Sequence, residues 1–548
     1  MFLRRSICPV FFGLSMIYGS LASAESSEGN ALKPSYGMFP IDHFQITQGT
    51  CSDCSTIPQA LWYFRDETIA VPKMGQPIAG FARQLSVQDD LAAWVKVTPV
   101  GSVLDYPPLV WLAAPDVIQR GWLSTDGQSV STVAGEIKLN LVPKLPLNGA
   151  YFDQRSVAFF QGKPLKLRGT QQGDSFVART IWPETFRLPE KANNESIKAE
   201  PSAFRDWLRA MPQGGAEHPF AVTSIWRREG GGAAVNEEGN APRQGQAVLG
   251  LMLNGSQGDD DEAQGGHFGI FAGRVGENGA MDQWLVNNIY SLDSISEKGI
   301  IAAAVPLDNY LADLNGGQAW YRPSYMLVAR LKNERTAVQV QSAFGRVFNQ
   351  FYRHQFAYQH ARANCAGVSV MTARTLGWQV PKHGAEGWLK AIFALPYVAL
   401  TEGGLSKGKA AFDYLIEDQT SLMPAVAFRE MGADLLKLAD GKSDRSLSAF
   451  EKFLAEDIEE ILLVRLPQLP SSRALGNYPV ENTTEYLARM PKKPADQKII
   501  PVPPRPFPDD LRDPQTPSEP RLLSDYAVIG WVLVITGLIL LIFRRLLA

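Results

Sequence analysis

The chain has 548 residues, with 53 Lys and Arg against 56 Asp and Glu for a formal charge of -3, and 45% of its residues are hydrophobic. The balanced charge lacks the basic footprint of a nucleic-acid binder, so no nucleic-acid partner is expected. The length exceeds what one hydrophobic core serves, and two or three domains are expected.

In chain order, residues 1–24 carry an Arg pair, an apolar run from Cys8 to Tyr18 and the small-residue ending Ala22-Ser23-Ala24. That order reads as a secretory signal peptide cut after Ala24. Cys8 leaves with it, so the exported chain keeps Cys51, Cys54 and Cys365. In an oxidising compartment Cys51 and Cys54 are expected to pair as a disulfide, with a small metal clip or a redox pair as alternatives. Ser55 follows Cys54, which does not support covalent haem attachment. Cys365 is then the odd thiol and calls for a reason.

From residue 25 to 190, short apolar runs such as "AAWVKVTPV", "GEIKLNLV", "SVAFF" and "DSFVARTIW" are broken at short intervals by Gly, Pro, Asn and Asp. This pattern predicts a β-rich accessory domain, a sandwich or barrel. A short helix is expected around Phe204 to Met211. Then "QAVLGLML" (246–253), "HFGIFAGRV" (267–275) and "DQWLVNNIYSL" (282–292) read as an antiparallel meander, with "PSYMLVARL" a further strand. The acidic loop Asp259 to Glu262 has consecutive rather than spaced carboxylates and reads as a solvated loop, not a calcium site.

Phe344, Val347, Phe348 and Phe351 stand at i, i+3, i+4 and i+7, one apolar face of a helix on whose far end His354 and His360 are expected. Asn364 then reads as an N-cap, and "CAGVSVMTARTL" as a helix stopped by Gly377. Cys365 would lie in its first turn, where unpaired N–H groups and the helix dipole favour a thiolate. A thiol nucleophile needs an imidazole base. Of the six histidines, His267 opens a strand among small neighbours, "GGHFGIF", where a rigid element would hold its ring. No Gly-x-x-x-x-Gly-Lys, His-Glu-x-x-His or Gly-x-Ser-x-Gly arrangement stands out, and neither metal nor cofactor is expected.

A His-x-Gly strand start, a second strand, and an Asn-Cys opening a later helix together resemble the circularly permuted papain-fold thiol enzymes, the NlpC-like and lecithin:retinol acyltransferase-like group. "HFGIFAG" and "YQHARANCAGVSV" carry the resemblance, over about a quarter of the chain. It implies a Cys–His enzyme working through an acyl-enzyme, with Cys365 as nucleophile, His267 as base and a polar residue on the next strand as orienter. Asn287, Asn288 and Asp293 are candidates for that third place. Alternation along a strand separates Asn287 from Asn288, and Asn288 is preferred. The substrate implied is a cell-wall peptide in one branch and a lipid or lipoprotein acyl chain in the other. The competing expectation is a non-catalytic envelope scaffold that uses the same fold to bind a partner.

Beyond Trp388 helical periodicity dominates, with "LSAFEKFLAEDIEEILLVRL" (447–466) as one of its clearest pieces. Residues 491–521 form a Pro-rich spacer, and Tyr526 to Phe543 is an uncharged run followed by Arg544 and Arg545. The run predicts one transmembrane helix with a cytoplasmic tail of 544–548, a processed sorting signal being the alternative. The expected chain is thus a multidomain, single-pass inner-membrane protein facing the periplasm: signal peptide 1–24, β-rich domain 25–190, α+β permuted papain-like domain 191–390, helical region 391–490, linker 491–521 and membrane helix 526–543.

Overall fold

The structure is a computed structural model, and it describes residues 34–512 apart from 103–105, 146–151, 211–218, 230–243, 256–264, 293–300, 362, 402–403, 471–479 and 490–505. Its strands are β1 (Ser35–Tyr36), β2 (Phe39–Pro40), β3 (Phe44–Gln48), β4 (Thr68–Pro72), β5 (Val110–Trp111), β6 (Asp116–Leu123), β7 (Ser129–Thr132), β8 (Gly135–Leu141), β9 (Leu165–Gln172), β10 (Ser175–Pro183), β11 (Asn193–Asn194), β12 (Ala221–Arg227), β13 (Ala247–Asn254), β14 (His267–Arg274), β15 (Leu285–Asn288), β16 (Ala303–Pro306), β17 (Ser324–Leu331) and β18 (Ile458–Leu466). A central 11-stranded sheet runs in the order β11-β12-β18-β17-β13-β14-β15-β16-β5-β4-β3, while β6 to β10 close into a small barrel.

The β-rich N-terminal region is therefore divided among three sheets, β1 and β2 pairing only with each other. β3 to β5 extend the sheet that carries the His267 strand, through a parallel pairing of β5 with β16. Only residues 116–183 curl into the barrel. Two runs expected as strands are helices. "AAWVKVTPV" lies mostly in Val87–Val97, opened by Ser86, whose side chain accepts the Asp89 N–H, with Leu91 and Trp94 buried at helical spacing. "SVAFF" lies in Gln154–Phe160, capped by Asp153.

The expected C-terminal helix at 447–466 also divides. Its first half is a helix, Ala449–Asp457, opened by a Ser448–Glu451 capping box. At Asp457, whose buried carboxylate takes bonds from Asn333 and Arg335, the chain turns extended and enters the sheet as β18 between β12 and β17. The segment Ile461 to Val464 is a continuous apolar run buried on both faces, a pattern that a central strand and a buried helix share.

β13 and β14 are buried along nearly their whole length. Helix Cys365–Leu376 packs against both Arg335–Tyr352 and Pro424–Ala439, and all three lie across β14, which places the core at the middle of the sheet. Arg335–Tyr352 ends at Tyr352, so His354 and His360 lie beyond it rather than on it; His354 takes a left-handed backbone, φ 57°.

The expectation of a transmembrane helix is corrected, and with it the single-pass inner-membrane location. No helix among the described residues is long and apolar enough to cross a membrane. The segments on which those expectations rested, 1–24 and 526–543, lie outside the described residues, as do Asp259 to Glu262, Asp293 and most of the spacer.

Candidate functional site

The site is built where three strands end or begin in register. Asn254 closes β13 and stands opposite both His267, the first residue of β14, and Ser324, the first residue of β17. The Asn254 amide donates to Ser324 Oγ at 2.6 Å, and the Tyr310 hydroxyl, from helix Leu307–Ala312, donates to Asn254 Oδ1. A row of polar side chains thus crosses the sheet at its buried edge, which its members satisfy among themselves.

His267 Nε2 lies 2.8 Å from Asn288 Oδ1, and the Asn288 amide nitrogen donates to the Ile301 carbonyl at 2.5 Å. Since that nitrogen is committed to a carbonyl, Oδ1 is the acceptor facing the ring, and Nε2 carries the proton. Nδ1 is then the basic nitrogen of the imidazole. Asn287 faces the other way, where its amide donates to Ile270 O at 3.0 Å and its oxygen accepts from Gln341 at 3.0 Å. Alternation along β15 gives one asparagine to the histidine and the other to the helix behind the sheet.

Cys365 is the first residue of helix Cys365–Leu376. Asn364 caps it by accepting the Gly367 N–H at 2.7 Å, while its amide donates to His360 O and Leu422 O, both at 2.8 Å. Gly377, with φ 103°, stops the helix in a left-handed turn. The helix packs on β14, whose Phe268 N–H, in the residue after His267, acts on the thiol together with the N–H of Ala366 to favour its charged form. Helix Cys365–Leu376 thus lies against the strand that His267 opens.

Cys365, His267, Asn288, Tyr310 and Arg322 are each less than 5% exposed. Burial pushes the thiol up from its ordinary value, against the pull of the Phe268 and Ala366 N–H groups and of the Arg322 guanidinium. Burial, and then Arg322, push His267 down to about 3 despite its bond to Asn288. The pair is thus thiol and neutral imidazole, not thiolate and imidazolium. Arg322, itself buried and bonded through Nε to Gln318 Oε1 at 3.0 Å, is a cation that acts on both groups.

The other histidines stand elsewhere. His43 is beside Asp42, His354 packs on Phe507, His360 on Tyr358, and His383 bonds Glu430; His218 lies outside the described residues. Cys51 and Cys54 are joined as a disulfide. Among the described residues no three of His, Cys, Asp and Glu are grouped to hold a metal.

Reading the sequence passed over Asn254, Tyr310, Arg322 and Ser324. Asn254 and Ser324 share a signal, a polar residue at the boundary of an otherwise apolar strand, whereas Tyr310 and Arg322 carry none, and strand register is needed to assemble the group. It also passed over "GGLSKGKA", 403–410, which holds both Gly-x-x-x-x-Gly-Lys and Gly-x-Ser-x-Gly spacing. This stretch leads into helix Leu405–Ile416 directly after helix Trp388–Thr401. No strand precedes it, and Ala410 stands where a phosphate loop needs a hydroxyl, so neither motif has its working context.

No protein-family model matches the chain, and neither a curated protein nor a solved structure is found to be similar to it.

Proposed function

We propose that this protein is a thiol hydrolase or acyltransferase working through an acyl-enzyme on Cys365. The observation that carries the reading is the His267–Asn288 bond, which assigns the proton to Nε2 of a ring that opens the strand against which the Cys365 helix packs. Because thiol and imidazole are both neutral at rest, the first step is general-base catalysis. Nδ1 of His267 takes the Sγ proton as sulfur bonds the substrate carbonyl carbon, and the electron pair of that C=O moves onto oxygen. Collapse returns the pair to carbon, breaks the bond to the leaving group and passes the proton from Nδ1 to it. Water or an acceptor alcohol or amine then repeats the sequence to release Cys365. Asn288 orients the ring and touches no reacting atom.

The test is capture of the intermediate. The full chain is incubated with cell-wall peptides or with acyl lipids, and the Cys365 peptide is weighed by mass spectrometry. A peptidyl or fatty-acyl mass on Cys365 is expected, with formation slowed about 10²- to 10⁴-fold in His267→Ala. If neither substrate class leaves a mass on Cys365, and Cys365→Ala keeps the cellular function of the wild type, the reading fails. The burial of the thiol favours the second reading, a non-catalytic scaffold with Cys365 as core, and that outcome would select it.

A further inference from the structure

Helices Trp388–Thr401 and Leu405–Ile416 form a hairpin that packs chiefly on itself. The first helix turns Ala391, Ile392 and Leu395 inward. The second approaches closely at Gly408, where a Cβ would stand 2.3 Å from the Leu395 carbonyl oxygen. The outer face is inverted. Leu389, Phe393, Tyr397 and Leu400, at i, i+4, i+8 and i+11, form one stripe with Trp388 beside it, and these five side chains are between 55% and 84% exposed.

Charge on the hairpin is sorted as well. Glu386 accepts the Thr483 N–H and pairs with Lys390 at 3.7 Å, and Asp413 pairs with Lys409 at 2.9 Å; both carboxylates are largely buried, whereas among the described residues the exposed ionic side chains of the hairpin are Lys390 and Lys407. At ~1.5 Å per residue the 14-residue first helix, with Pro396 inside it, is far shorter than a ~30 Å hydrocarbon core. An apolar stripe with Trp and Tyr, rimmed by exposed lysines and too short to span, fits the boundary between acyl chains and anionic headgroups. The hairpin is closed at its root by Gln419 N–H to Gly384 O at 3.0 Å, and the next turn, Gln419–Leu422, is bonded to Asn364, the cap of the Cys365 helix.

We propose that this hairpin lies in the plane of an anionic lipid bilayer, its Leu389–Phe393–Tyr397–Leu400 stripe among the acyl chains and Lys390 and Lys407 at the headgroups. The surface stands independently of the thiol chemistry, so its test uses a chain that cannot react. Full-length Cys365→Ser protein carrying Tyr397→Cys is labelled with an environment-sensitive fluorophore and mixed with phosphatidylethanolamine and phosphatidylglycerol vesicles. A parallel sample carries the label at Lys138→Cys on the barrel surface. Residues 522–548 are kept in both, so any contribution of that apolar terminal sequence is common to the two. The Tyr397 label is expected to shift to the blue, to be quenched by lipids with brominated chains, and to respond less to phosphatidylcholine alone, while the Lys138 label stays unchanged. Adding Phe393→Ser and Leu400→Ser, both on the exposed face, should weaken the response at least about tenfold. A Tyr397 label that stays water-like while the protein sediments with the vesicles overturns the proposal. So does a blue shift that grows with protein concentration without lipid, which would make a second copy the occupant.

Discussion

The sheet edge around His267 and the hairpin at 388–416 break the usual partition of polar and apolar residues in opposite directions. At the sheet edge Asn254, His267, Asn288, Tyr310, Arg322 and Ser324 are buried; on the hairpin Trp388, Leu389, Phe393, Tyr397 and Leu400 are exposed. The first inversion is compensated inside the chain, since each polar group named there has a hydrogen-bonding partner. The second has no such compensation within the hairpin. A buried polar row that is internally satisfied points to a task done inside the fold, and an apolar stripe turned outward points to one done at its boundary.

The sharpest way to break this contrast is at Cys365 and His267, where the adduct assay reads about 10² to 10⁴ in rate. Next comes the pair of asparagines. Asn288→Ala should leave the buried Nε2–H without an acceptor, costing about 1–3 kcal/mol in urea unfolding. By misorienting the ring it should also slow adduct formation by about a hundredfold. Asn287→Ala should show only the stability loss, because it serves the helix behind the sheet. Equal activity losses in the two would mean that the His267 bond is merely structural.

The hairpin offers the converse pair. Leu395→Ala on its inner face should destabilise by about 2–5 kcal/mol at most, the range for buried leucines. Phe393→Ala on the outer face should stay within about 0.5 kcal/mol. Thermal melts of the two variants compare them directly, and a large loss at Phe393 would place the stripe against protein.

The last effect is a slope. His267 is held down at about 3 in the fold against an ordinary 6.5, so between those values the unfolded chain binds the extra proton. Its contribution to stability is fully present above pH 6.5 and is lost as pH falls through about 3. His267→Gln should remove that part of the acid dependence of urea stability; an unchanged slope across this window would mean the imidazole is not buried neutral.

Much of the site was legible because its signals are local. An N-cap before an apolar helix marks Cys365, a strand opening among glycines marks His267, and alternation alone separates Asn287 from Asn288. What escaped is what depends on register. Asn254 and Ser324 meet His267 only through pairings across the sheet, Arg322 lies just before Ser324, and Tyr310 reaches Asn254 from a separate helix. The same holds for the fold. β13 and β14 could be read from their apolar runs, but no local pattern shows that β5 pairs with β16 across nearly two hundred residues of sequence. "EILLVRL" was read as helix because the apolar residues of an everywhere-buried strand carry no period of two.

That last strand has a consequence for how the protein is made. β18 supplies the partner for one whole side of β17, yet it begins at Ile458, 93 positions after Cys365. During synthesis from the N-terminus, β12 and β17 carry unpaired backbone edges until residue 466 has emerged. Cys365, His267 and Asn288 are all present in the nascent chain well before the sheet that holds them can be completed. A chain that stops before Ile458 would have every residue of the site and an open edge in the middle of its core.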